Sequence, residues 1–189
     1  GWPGDGGGGG EAGGAGGGGR AGGEGGGGPE GGARLRGPGG AVVDSARGHG
    51  DPADGLAVAV DCGTGTGALG TPQVLRELGA RVVTLNGQVD GFFPGRESKP
   101  TPETLTDLRG FLSESTFDFG IAHDGDADRI VVVDGAGAVV HEDTVVAILA
   151  SHFVRTAAVP DPVVVTTPNA SARIDERVAA AGGRVERVR

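Results

Sequence analysis

The chain has 189 residues, 25 acidic against 16 basic side chains, a net charge of −9 and a single cysteine. That acidity excludes general binding to phosphodiester backbones, and one thiol excludes an internal disulfide and fits a reducing cytoplasm. No apolar run approaches the roughly 18 residues of a membrane span and no signal-peptide stretch is visible, so a membrane partner is not expected.

Of the 42 glycines, 26 fall within residues 1–50. Such a stretch has almost no apolar side chain to bury, so it cannot offset the ~1–2 kcal/mol per residue that ordering the backbone costs. Residues 1–54 are therefore expected to be a disordered or non-native tail. They show neither a collagen period nor a repeat of blade length. The absence of any methionine suggests a fragment, a processed chain or a reading-frame artefact.

From Leu56 the composition becomes that of an α/β protein. "LAVAVDC" (56–62) is short, apolar and β-branched, as in a buried strand. A glycine loop follows, then a helix for which Thr71 is the expected N-cap and Pro72 the first helical residue, with Gly79 closing it. "RVVTL" (81–85) completes a strand–helix–strand unit, which implies a right-handed crossover and a parallel pair. Residues 86–100 read as a long surface loop, of the kind that is often functional. Thr101 and Pro102 are expected to start a second helix, with Leu105, Leu108 and Leu112 on its buried face. "FDFGIAHD" (117–124) is a third strand, and "RIVVVDGAGAVV" (129–140) a hairpin turning at Asp134–Gly137. Asp143 is expected to cap a helix reaching about Thr156, with Val146, Leu149 and Phe153 on one face. Residues 159–189 read as the truncated start of another strand–helix–strand unit.

Two stretches carry candidate chemistry. "GTGALG" (65–70) satisfies the dinucleotide pattern after a strand and before a helix, but the end of the second strand offers neutral Asn86 where a ribose-binding acid would stand, with Asp90 displaced into the loop. The second stretch is "IAHDGDADRI" (121–130). Extended backbone would project Asp124, Asp126 and Asp128 to one side. Carboxylates about 5 Å apart repel by roughly 3 kcal/mol per pair at an effective dielectric near 20, so the cluster calls for a cation or for escape into water. A calcium EF-hand is excluded, because Arg129 and Gly135 stand where Gly and Glu are required. Three hard oxygen ligands suit magnesium, calcium or manganese better than zinc. Magnesium keeps open positions for phosphate, and Arg129 can take a phosphate in fork geometry, which makes phosphate chemistry the leading idea. His123 reads as a supporting or packing residue and Cys62 as structural. His49, His141 and His152 show no metal spacing.

The string "GIAHDGDADRIVVVDGAG", preceded by "VAVDCGTGTGALGTPQVLRELGARVVTLN" and "DGFFPGR", closely resembles the second domain of the α-D-phosphohexomutases, the phosphoglucomutase and phosphomannomutase family. The resemblance covers residues 56–158 and runs thinly through 189. Thr64 stands where the family usually shows Asn, and "ESKP" (97–100) replaces a more usual acidic, proline-rich spacing. With the elements above, it implies a three-layer α/β/α sandwich around a mixed, mostly parallel sheet, with a complete domain at 55–158 and a truncated one at 159–189. It further implies Mg2+ held by Asp124, Asp126 and Asp128, with Arg129 as the phosphoryl contact. The family moves phosphate between the 1 and 6 positions of a hexose through an enzyme phosphoserine and a bisphosphorylated sugar. Its phosphoserine loop has no counterpart in these residues, since Ser45 in "VVDSARGHG" does not match. The expectation is a cytoplasmic fragment carrying half of an active site, with hexose phosphate as the whole enzyme's partner. The alternatives are a non-catalytic Rossmann-like module using Gly63–Gly70 for a nucleotide, and an interaction protein acting through its glycine-rich tail.

Overall fold

The apolar run after Leu56 becomes strand β1 (Ala57–Asp61), in which all five residues are buried. The computed structural model describes residues 38–47, 52–157 and 159–188. In it β1 lies between two parallel neighbours, β2 (Arg81–Leu85) and β3 (Phe119–His123). Strand β4 (Ile130–Asp134) runs antiparallel to β3, and the short β5 (Val139–Val140) pairs with β4. The order is β2-β1-β3-β4-β5, a mixed sheet as expected.

Period-two alternation along β1 sorts its side chains onto two cores. Ala57 and Ala59 pack with Leu105, Leu108 and Leu112 of one layer. Val58, Val60 and Cys62 face the other way, against Ala80 and the partly buried Leu75 and Leu78. Helix α2 (Thr71–Glu77) therefore covers one face and α3 (Thr106–Ser113) the opposite face. The chain leaves β1 towards β2 on one side and returns to β3 on the other. This creates a topological switch point between the carboxyl ends of β1 and β3, where open α/β sheets place ligands.

Several expectations change in detail. Helix α1 (Pro38–Arg47) lies inside the stretch read as a tail. Val43 on it is 1% exposed, so local apolar content was enough to anchor it despite the glycines around it. His49 and most of the tail lie outside the described residues. Helix α2 is capped by Gly70 rather than Thr71, and Thr71 spends its hydroxyl on His123, 3.0 Å away. Helix α3 begins at Thr106, not at Thr101. Thr101 and Thr104 bond to each other's backbone, and both Thr104 and Leu105 donate to the Thr101 carbonyl at 3.0 Å. Such local side-chain bonds compete with helix propagation. The hairpin turn at Asp134 is as expected, with the Asp134 carboxylate accepting the N–H groups of Ala136 and Ala138.

Helix α4 (Glu142–Thr156) is capped by His141, whose Nδ1 accepts the Asp143 N–H. Its buried face is Ala147, Ala150, Ser151 and Val154, whereas Val146, Leu149 and Phe153 are exposed. Small residues let α4 approach α5 (Arg173–Ala180) closely, and Ile174 and Val178 complete that cluster. The α4 contacts thus cross the boundary placed at residue 158. Beyond it, β6 (Val163–Thr166) and β7 (Arg184–Arg187) form a parallel pair joined by α5.

Candidate metal centre

Asp124 follows the last residue of β3, and the chain then turns instead of remaining extended. Ala127 donates to the Asp124 carbonyl at 3.3 Å and takes a left-handed φ of +62°. The three aspartates therefore meet by curling, not by alternating along a strand. A carboxylate oxygen from each of Asp124, Asp126 and Asp128 lies within 4.8 Å of the others. Asp124 is buried while the other two face solvent, leaving one side of the cluster open.

The cluster carries the electrostatic signature of crowded acids. The bond between Asp128 and the Asp124 carboxylate, followed by the charge of Asp126, pushes Asp128 above the usual carboxylate range. Arg129 partly offsets this, with Nε at 3.7 Å from both Asp124 Oδ2 and Asp128 Oδ1, and its backbone N–H reaches Asp124 Oδ1 at 3.3 Å. One guanidinium for three carboxylates leaves an unbalanced negative pocket, and hard oxygens at this spacing fit a Mg2+-like ion. Beside it opens a cavity of about 490 Å³ lined by Lys99, Pro100, Arg129, Ile130, Val131 and Glu142. The structure thus brings all four expected residues together.

The glycine loop abuts this turn. Thr66 N–H donates to the Gly125 carbonyl at 3.0 Å, and a Cβ on Gly65 would stand 2.5 Å from that oxygen. A Cβ on Gly63 would meet the Arg96 guanidinium at 2.6 Å, and one on Gly67 the His123 ring at 2.9 Å. Protein groups fill the space beside Gly63, Gly65 and Gly67, so at these three positions the loop serves close packing. Asn86 is likewise occupied, donating to Asp61 Oδ1 at 3.0 Å. His123 is a supporting residue, its Nδ1 3.3 Å from the Arg129 carbonyl. Cys62 is fully buried, and burial followed by the Asp61 charge pushes its thiol up to about 11.

Sequence reasoning passed over Asp61 and Arg96. Asp61 is 1% exposed at the end of an otherwise apolar strand, and Arg96 Nε pairs with it at 2.8 Å. The available signal was the acid itself, because a charge in a buried run requires a partner.

A three-layer α/β/α domain with an acidic turn at the carboxyl end of a central parallel strand is the class that fold and site define. The sequence model for phosphoglucomutase/phosphomannomutase, alpha/beta/alpha domain II, matches residues 43–137, and the chain belongs to that family. Among similar proteins, one named probable phosphoglucosamine mutase from Methanopyrus kandleri is 45% identical over 136 residues, covering 72% of this chain and 30% of that protein. A phosphopentomutase from Thermococcus kodakarensis is 44% identical over 133 residues, covering 70% of this chain and 29% of the other. A crystal structure of a phosphoglucomutase/phosphomannomutase family protein from Burkholderia thailandensis superposes with a TM-score of 0.68 at 25% identity, covering 80% of this chain and 33% of that one. The chain thus spans about 30% of the length of these two curated relatives.

Proposed function

We propose that this chain is the cation-binding domain of a phosphosugar mutase, which holds Mg2+ through Asp124, Asp126 and Asp128 and presents Arg129 to a phosphoryl group. The observation that carries this reading is the convergence of three carboxylate oxygens within 4.8 Å at the carboxyl end of β3. In the whole enzyme the reaction is the interconversion of a hexose 1-phosphate and 6-phosphate through a phosphoserine and a bisphosphorylated sugar. A bound Mg2+ supplies Lewis-acid polarisation of the phosphoryl oxygens.

The residues of this chain do the rest of the work assigned to it. Asp124, braced by the Arg129 N–H, would hold the ion together with the exposed Asp126 and Asp128. The Arg129 side chain is largely exposed beside the acids, its Nε 3.7 Å from both Asp124 and Asp128, so its guanidinium could take two phosphoryl oxygens in fork geometry. Phosphoryl transfer draws mainly on positioning and charge neutralisation, which this arrangement provides. The serine nucleophile is not among these 189 residues on this reading, so the chain alone turns over no sugar phosphate, and it works in the cytoplasm.

Titrating MgCl2 and MnCl2 against the full chain by calorimetry tests the reading. Binding that disappears in Asp126→Ala supports it, and an absence of saturable binding refutes it. Conversion of glucose or glucosamine phosphates by the purified chain would refute the half-site assignment. NAD binding that persists in Asp126→Ala would favour the nucleotide module instead.

A further inference from the structure

Arg96, at the end of "DGFFPGR", is joined to three parts of the fold at once. Its Nε donates to Asp61 Oδ2 at 2.8 Å, at the end of β1. One Nη donates to the His123 carbonyl, the last residue of β3, at 2.5 Å. The other Nη donates to the carbonyls of Glu97 and Ser98 at 2.9 and 3.2 Å, folding its own loop around it. Ser98 in turn accepts the Gly125 N–H on its Oγ at 3.1 Å. The residues before and after Asp124 are therefore both tied to the 86–100 loop, one through Arg96 itself and one through the serine that Arg96 holds. Asp61 is fully engaged as well, with its Oδ1 accepting the Gly63 N–H at 2.8 Å and the Asn86 amide at 3.0 Å. The Arg96 side chain is only 5% exposed.

We propose that Arg96 is a positioning residue for the acidic turn: its buried fork, anchored on Asp61, fixes the backbone on both sides of Asp124 so that the three carboxylates converge before a cation arrives. The inference rests on the cation reading above and adds a residue that touches neither ion nor sugar. The physical argument is preorganisation. Three like charges tend to splay, and the turn's own bonds from Ala127 and Arg129 to Asp124 are both long at 3.3 Å. The Thr66 bond holds only the Gly125 carbonyl and leaves the His123 carbonyl and Gly125 N–H to the Arg96 loop. A planar guanidinium reaches an acid, a neighbouring strand's carbonyl and its own loop in fixed directions. A lysine ammonium cannot direct donors to all three sites at once.

The test uses the full chain with Arg96→Lys, the pair Arg96→Gln with Asp61→Asn, and Asp126→Ala. Two readouts are taken: amide hydrogen exchange at Gly125, Ala127 and Arg129 without cation, and the Mn2+ dissociation constant. Arg96→Lys should keep the protection of β1, speed exchange in the acidic turn about tenfold, and weaken Mn2+ by about 10- to 100-fold, as is typical when a supporting partner of a metal ligand is lost. The paired variant, which leaves no unpaired buried charge, carries the same expectation if Arg96→Lys does not fold. Wild-type exchange and Mn2+ affinity in a folded variant overturn the proposal. Faster exchange with an unchanged Mn2+ constant overturns it too, because Arg96 would then serve the fold alone. If the wild-type chain binds no Mn2+, the cation reading falls and the exchange comparison alone decides whether Arg96 holds the turn.

Discussion

The Thr66 N–H donates to the Gly125 carbonyl at 3.0 Å, so the glycine loop after β1 and the acidic turn after β3 form one hydrogen-bonded unit. Gly65, beside that bond, has no room for a side chain, since a Cβ would stand 2.5 Å from the same carbonyl. Gly65→Ala should therefore destabilise the chain by about 1–3 kcal/mol, the usual scale of overpacking. Gly110→Ala provides the contrast, because a Cβ there meets nothing within 4 Å and the residue lies inside α3. It should stabilise by about 0.5–1 kcal/mol through helix propensity. Urea denaturation midpoints at constant m-value check both.

Asp126 is exposed and contributes to a cluster of like charges. Asp126→Asn should leave the cation-free melting temperature unchanged or slightly higher while removing the rise caused by MgCl2. For the wild-type chain, an ion at one hundred times its dissociation constant adds about 2.7 kcal/mol by mass action. A melting curve with and without 10 mM-scale MgCl2, about one hundred times an assumed 0.1 mM constant, reads the difference directly.

Cys62 should resist alkylation in the folded chain, because it is fully buried and its thiol titrates at about 11 instead of 9.0. The folded state favours the protonated thiol. This group's contribution to stability is therefore fully present below pH 9.0 and lost as pH rises through about 11. Thiol labelling at pH 8, fast only in denaturant, checks the first point. Thermal melts from pH 8 to 11, with Cys62→Ala for comparison, check the second.

The two amphipathic helices should respond differently to truncation. Leu108 on α3 is fully buried, so Leu108→Ala should cost about 2–5 kcal/mol. Leu149 on α4 is 51% exposed, so Leu149→Gln should fall within about 0.5 kcal/mol of wild type. Chemical denaturation of both variants distinguishes this packing from the one that α4 periodicity alone suggests.

What the amino-acid order determined by itself was the run of strands and helices beyond residue 55, apart from their exact ends, and the position of the acidic turn. The strands at 57–61, 81–85, 119–123 and 130–134 were legible because short β-branched runs between glycine-rich or charged loops have few other folded states. Asp124, Asp126, Asp128 and Arg129 were legible because they are adjacent in the chain. Tertiary structure decided what depends on residues far apart. It chose the alanine face of α4 over the Val146–Leu149–Phe153 face, since both have helical spacing and only α5 distinguishes them. It turned the backbone at Ala127, so that the acids converge by curling. It also joined Asp61 to Arg96 across 35 residues, a pairing that no local period encodes. Nearest-neighbour chemistry placed the three acids and Arg129 together, and the fold supplied the distant residues that bond to the turn around them.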